Sequence, residues 1–366
     1  MNAEIIQMFP AEKVSLLQGI YQWGIAVIKV IQRIQSPPLT GFFKLISALG
    51  TQALYVPLIL LVLWLVNEKQ GLRFAILIIL SAWINSFLKD LFKQPRPFNF
   101  DQSLGLAFES SYGAPSGHAQ MSLIFWIPMA AWLSSAWAAA KGTLDAQRRK
   151  KLLVWTIAVL LILIIAFSRL YLGVHFPTDI FLGWIIAGII LAVWFIAGPF
   201  LEKALISAGP RSQNIIAALI ALVMNGLYPR DRTLPALFLG LCIGYVLMKK
   251  YYPFEAGGEI NGKKPGLPVY IFRALTGLIS LGVVYLGLRL MLPGEGSLLS
   301  SIPLWGRASP LYEISHFILY GALGLWISAG APRIFQQMKL ARDTGNSGKD
   351  STGSGGDAGN RDNKDI

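Results

Sequence analysis

Three polar clusters interrupt an apolar chain, and their residue types suit the handling of a tetrahedral oxyanion. The first runs from Lys89 to Pro97 and holds Lys89, Lys93 and Arg96. The second is Pro115-Ser116-Gly117-His118, and the third is Ser168-Arg169 followed by His175 and Asp179. Lys89, Arg96 and Arg169 are cations with many donors, and arginine adds a planar fork that binds phosphate in bidentate fashion. Ser116 and Gly117 at a helix start would offer free backbone N–H groups at a positive dipole end. Gly117 lets the backbone approach a ligand closely. His175 and Asp179 are four apart. If a helix begins by His175 they share a face and the carboxylate orients the imidazole. If the helix begins at Pro177, a turn must supply that contact. The chain has three histidines, and two lie in these clusters.

The elements that must position these residues are membrane spans. Of 366 residues, 54% are hydrophobic and 14% charged, against about 45–50% and about 25% for soluble domains. This excludes a disordered chain, a coiled coil and most soluble enzymes. The net charge of +13 fits loops facing an anionic leaflet better than nucleic acid, and no nucleic-acid partner is expected. A single cysteine, Cys242, excludes a disulfide framework and a cysteine-based metal site. No cleavable signal peptide is visible at the start. A span needs about 20 apolar residues. Ten segments qualify, near 13–32, 49–66, 72–90, 119–140, 152–168, 177–198, 212–228, 233–250, 268–292 and 312–334. The first is interrupted by Lys13, Gln18, Gln22 and Lys29 and would alternatively lie in the interface as an amphipathic helix.

With ten spans, the basic links at Lys69–Arg73, Lys141–Lys151, Lys203–Arg211, Lys249–Lys264 and Arg333–Arg342 all fall on one side. The positive-inside rule makes that side the cytoplasm, with both termini there. All three polar clusters then return to the opposite, outer face. Gly198–Pro199 and Ala208-Gly209-Pro210 break the chain and mark a boundary between six spans and four. The tail 341–366 is rich in Gly, Ser, Asn and Asp and is expected to be disordered.

The clusters together resemble the type 2 phosphatidic acid phosphatase family of membrane lipid phosphatases. That family's pattern is Lys, six residues, Arg-Pro; then Pro-Ser-Gly-His; then Ser-Arg, five residues, His, three residues, Asp. All three elements occur here in order and without a mismatch, over roughly residues 40–198. The resemblance implies an all-α integral membrane protein with a six-helix phosphatase core plus four additional C-terminal transmembrane helices. The expected layout is an N-terminal helix in 1–39, the core in 40–198, a four-helix region in 211–340 and the tail in 341–366. It implies His175 as the nucleophile, giving a phosphohistidine. Asp179 would hold and activate it. His118 would protonate the leaving oxygen and then activate water. Lys89, Arg96, Ser116, Gly117 and Arg169 would bind the phosphoryl oxygens, with no metal and no other cofactor. Ala331-Pro332-Arg333 at the last span, taken with the ten spans, loosely resembles the sphingosine-1-phosphate phosphatases.

These readings predict a lipid phosphate or diphosphate phosphatase in a bacterial inner or plasma membrane, with its site on the non-cytoplasmic side and its C-terminus in the cytoplasm. Polyprenyl diphosphate and a long-chain base phosphate lead the candidate substrates; phosphatidic acid and phosphatidylglycerol phosphate also compete. The same site would alternatively serve a lipid phosphotransferase. A third reading makes the C-terminal helices the working part of a transporter or scaffold, but they hold few ionisable residues: Glu313 and His316 near one end, besides Asn225. A packing, substrate-access or homodimerisation role suits them better. Glu313 and His316, three apart, lack a third metal ligand. Arg230, Arg232 and Arg289 read as cations snorkelling to the headgroups.

Overall fold

The computed structural model describes residues 11–138, 143–260, 262–294, 297–298 and 311–342. The tail expected to be disordered lies, from residue 343 on, outside the described residues. Within them the chain is helical. In order these are α1 (Ala11–Ile31), α2 (Pro37–Ala48), α3 (Gln52–Leu61, continued by a π turn over Val62–Val66), α4 (Glu68–Phe92) and the one-turn α5 (Pro97–Phe100). Then follow α6 (Gly117–Ala138), α7 (Leu144–Tyr171), α8 (Pro177–Leu227), α9 (Thr233–Tyr251) and α10 (Leu267–Met291). The last are α11 (Tyr312–Leu325), a π turn over Trp326–Gly330, and α12 (Ala331–Gln337).

Each expected span coincides with helix. Six described helices are long and apolar enough to cross a membrane, or seven if the bent pair α2–α3 counts as one. Two boundaries differ from the sequence reading. The second span was expected to start near residue 49; an extra helix, α2, precedes it and meets α3 at 44°. Pro37 and Pro38 at the first helical turn favour that start, where their missing N–H costs nothing. The break read at Gly198–Pro199 does not occur. Helix α8 runs 51 residues and bends only at Gly209, whose φ of 79° suits glycine. Membrane helices tolerate such an interior proline. The added turns also carry Glu202 to Lys69, 2.6 Å away, and to Arg73.

Ion pairs sort the helix ends into two layers. One holds Lys29–Asp101, Asp90–Arg230 and Arg232–Glu313. The other holds Glu202 with Lys69 and Arg73, and Glu68 with Lys249. Following the chain, successive long helices alternate between these layers if α8 is counted as two at Gly209. All three polar clusters lie in the first layer, hereafter the site end.

The last four helices do not stand apart from the others. One hydrophobic core contains Leu77 and Ala187 as well as Phe238, Ile327 and Phe335. Trp64 is buried there and donates its indole N–H to Ile327 O at 2.9 Å. Arg273 is fully buried and donates to Leu340 O at 2.8 Å and Ala256 O at 2.6 Å. Helices α9 and α11 touch backbone to backbone: a Cβ on Gly240 would stand 1.9 Å from Gly321 O. Small residues drive such contacts where lipid offers no hydrophobic gain.

Candidate active site

Helix α4 delivers Lys89 in its last turn and stops at Lys93, which is left-handed (φ 50°) and donates its N–H to Lys89 O at 2.9 Å. The chain then turns through Pro95 to Arg96, whose extended backbone donates to Asn99 Oδ1 at 2.8 Å. Pro97 starts α5 where a proline fits. Arg96 is thereby aimed inward and is only 2% exposed. Its guanidinium ties three segments together. Nε donates to Ser111 O at 2.6 Å, Nη1 to Val174 O at 2.7 Å and Nη2 to Ser111 Oγ at 3.0 Å and Tyr112 O at 3.1 Å. Nη1 also lies 3.3 Å from His175 Nε2.

The helix carrying Asp179 begins at Pro177, so a turn supplies the contact with His175. Gly173, at φ 66°, makes that turn, and a Cβ there would stand 1.8 Å from Leu104 O. Asp179 sits at the third helical position and accepts the Phe176 N–H at 2.9 Å, which caps the helix and fixes the carboxylate. The same oxygen, Oδ2, lies 3.3 Å from His175 Nδ1. With the proton on Nδ1, Nε2 keeps its lone pair and faces Arg96. His175 is buried, and burial pushes its pKa well below the ordinary 6.5, followed by the charges of Arg96, Arg169 and Lys89. The imidazole is therefore neutral at neutral pH. Burial also draws Arg96 down to about 10, which leaves it charged.

The Ser116–Gly117 turn opens α6 and is locked from two sides. Ser116 N–H donates to Asp179 O at 2.9 Å, joining the second cluster to the third. Gln120 donates to Ser81 O at 2.9 Å and accepts from Asn85 at 2.8 Å, which also reaches Pro115 O at 3.3 Å. Gly117 lies against Asn85, where a Cβ would stand 3.2 Å from Oδ1. His118 follows and packs against Gly50, where a Cβ would stand 2.9 Å from His118 Cδ2. His118 is close enough to Lys89, Arg96 and His175 to couple electrostatically with them.

All eight residues expected at the site gather in one place, yet they differ in what they have free. Lys89 Nζ donates to Tyr112 O at 2.5 Å and Gly113 O at 3.2 Å. Most of the Arg96 donors are taken by carbonyls, so it braces the site as well as charging it. Arg169, 2% exposed, donates Nη1 to Ser47 Oγ and turns Nη2 to Glu109. Its Nε is buried without a partner among the described residues, and so is Ser116 Oγ. Those two groups keep hydrogen-bonding capacity unused.

Sequence reasoning missed three contributors. Ser47 and Gly50 come from α2 and the turn after it, which carried no motif. Glu109 comes from the link before the second cluster. Its Oε2 lies 2.7 Å from Arg96 Nη2 and its Oε1 contacts Arg169 Nη2. The available signal was electrostatic: several cations buried at one depth require a nearby counter-charge. Elsewhere, Glu313 pairs with Arg232 at 2.8 Å, and His316 makes tilted ring contacts with Tyr312 and Tyr320.

The PAP2 superfamily pattern matches residues 70–202, and the pattern for the transmembrane extension of PAP2 superfamily phosphatases matches residues 233–343. Between them they account for about two thirds of the chain. An undecaprenyl-diphosphatase from Sulfolobus acidocaldarius is 24% identical over 191 residues, which is 51% of this chain and 81% of that protein. A probable sphingosine-1-phosphate phosphatase from Dictyostelium discoideum is 25% identical over 207 residues, 51% of this chain but only half of that protein. The crystal structure of a PAP2-type phosphatidylglycerolphosphate phosphatase from Bacillus subtilis superposes with a TM-score of 0.41 at 27% identity, covering 50% of this chain and 87% of that one. The chain belongs to the PAP2 superfamily, and it is an integral membrane enzyme of the lipid phosphate phosphatase class.

Proposed function

We propose that the enzyme hydrolyses a terminal phosphate of a membrane lipid through a covalent phosphohistidine on His175, without a metal ion. The observation that carries this reading is the buried His175–Asp179 pair, 3.3 Å apart, with Nε2 facing the Arg96 guanidinium. Nε2 attacks phosphorus as the bond to the leaving oxygen breaks, and His118 gives that oxygen a proton. Asp179 stabilises the positive imidazole that results. Water, deprotonated by His118, then cleaves the P–N bond and releases inorganic phosphate. Splitting the displacement in this way replaces one hard step with two easier ones. Lys89, Arg96, Arg169 and the Ser116–Gly117 turn stabilise the charge that spreads over the equatorial oxygens. These fixed cations stand where a metal ion would otherwise serve.

The site lies at the ends of the helices, the depth at which a headgroup sits while its chain stays in the bilayer. Lys69, Arg73, Lys249 and Lys250 belong to the opposite end, which supports a cytoplasmic far end and a site on the outer face. Polyprenyl diphosphate and a long-chain base phosphate remain the leading substrates, and relatives named for each chemistry are similar to this chain.

The test is phosphate release in detergent micelles from undecaprenyl diphosphate, phosphatidic acid, phosphatidylglycerol phosphate and sphingosine-1-phosphate. Release from at least one lipid, unchanged by chelator and abolished by vanadate, is expected. Inhibition by chelator that added metal reverses would overturn the mechanism. Dephosphorylation of the lipid that requires an added alcohol, with the phosphoryl group recovered on that alcohol and not as inorganic phosphate, would mark a phosphotransferase.

The pH profile follows from the depressed His175 pKa. Attack needs the neutral imidazole. Protons therefore compete only as the pH falls through a pKa well below 6.5. The acid limb of kcat/KM is expected below pH 6.5, and an acid limb above that value would contradict the burial of a neutral His175.

A further inference from the structure

Glu109 has no role in the reaction just described, yet it sits between two of the cations assigned to the oxyanion. Its two carboxylate oxygens bridge Arg96 and Arg169, the two arginines expected to grip the phosphoryl group. Both guanidinium groups are 2–3% exposed, whereas the Glu109 side chain is 27% exposed and reaches in from the surface. The link that carries it is pinned on each side. Leu106 N–H donates to Leu172 O at 3.0 Å, and Ser111 and Tyr112 are held by Arg96. Only Ala107–Ser110 lies between these anchors, and displacement of Glu109 requires a turn of its side chain alone.

We propose that Glu109 is an internal competitor for the oxyanion site, a carboxylate that the substrate's phosphoryl group displaces and that returns to expel inorganic phosphate. The inference rests on the phosphatase reading above. The carboxylate carries one negative charge and two oxygens, and it leaves Ser116 Oγ and Arg169 Nε unpartnered. A terminal phosphoryl group carries up to two negative charges and three free oxygens. It takes over the positions of Glu109 and also reaches those two donors. A phosphodiester headgroup has one negative charge and two free oxygens, so it gains nothing over the tethered carboxylate. Glu109 thus sets a charge threshold that keeps ordinary phosphodiester lipids out of the site.

The experiment compares wild type, Glu109→Gln and Glu109→Asp, each as the full chain in detergent micelles. Binding of inorganic phosphate is measured directly by calorimetry and also as product inhibition. In Glu109→Gln the neutral amide no longer competes, and phosphate is expected to bind at least about tenfold tighter, since hydrogen bonds between charged groups are the strong ones. Phosphatidylglycerol is expected to inhibit that variant and not wild type. KM for lipid phosphate falls, and kcat falls with it as release slows. Glu109→Asp keeps the charge but is too short to bridge both arginines, and it also tightens phosphate; it decides the matter if the glutamine variant does not fold. Phosphate binding that is unchanged or weaker in the folded variants would overturn the proposal, because Glu109 would then be bracing the arginines. Equal inhibition of wild type and Glu109→Gln by phosphatidylglycerol would overturn the threshold. Calorimetry reports on Glu109 even if no lipid in the panel is hydrolysed, so the two readings fail separately.

Discussion

His175→Ala is expected to lose about 10⁴-fold or more of the phosphate-release rate, the scale seen when a nucleophile is removed from a coupled catalytic set. The fold should survive the change. Asp179 keeps the Phe176 N–H at 2.9 Å, and Arg96 keeps Val174 O, a backbone group that does not depend on residue 175. Thermal unfolding in micelles close to that of wild type, together with lost turnover, is the expected pair of results. His175→Asn is the sharper variant. Its amide can still donate to Asp179 but offers no nucleophilic lone pair, so its loss should match that of alanine. An asparagine variant with near wild-type turnover would remove His175 from the nucleophile role. Acid-labile phosphate trapped on wild type, and absent from both variants, would place the covalent bond on this residue.

Arg96→Lys is expected to lower kcat/KM by about 10²–10³-fold although it preserves the charge. A lysine nitrogen cannot replace Nε, Nη1 and Nη2 together. Arg96 uses them to hold Ser111, Tyr112 and Val174 while one edge faces His175 and another faces Glu109. Losing two charge-assisted hydrogen bonds, each worth about 1.5–3 kcal/mol, accounts for a drop of that size. The same variant should loosen the link through residues 106–113, measurable as faster hydrogen exchange there. Lys93→Ala provides the control: Lys93 lies in the same motif but is exposed, and its effect should stay within a few-fold. A loss below tenfold in Arg96→Lys would mean that charge alone suffices at this position.

The two variants probe different kinds of information. The role proposed for His175 comes from a motif, a matter of residue type and order along the chain. The expected cost of Arg96→Lys follows from the hydrogen bonds of Arg96, and no spacing contains those. The turn that brings His175 to Asp179 is a similar case. Both a helix starting at His175 and a turn before Pro177 agreed with the spacing. What selected the turn was a left-handed Gly173 pressed against Leu104 O, a residue about seventy positions earlier.

By itself the sequence determined that this is a helical membrane protein, where its spans lie, and that three polar clusters return to one face. Those properties depend on local quantities: apolar runs long enough to cross hydrocarbon, and the alternation of successive spans. It also named the eight residues that gather at that face, because residue chemistry is carried by type. Tertiary structure alone decided the rest. Glu109 enters the site because buried guanidinium groups need a counter-charge, and only packing reveals which carboxylate can reach them. Ser47 and Gly50 join because α2 packs beside α7. The last four helices merge with the first six because Trp64, Arg273 and Gly240 find partners far along the chain. Such contacts are set by the complementarity of surfaces distant in sequence, and a linear pattern does not carry it.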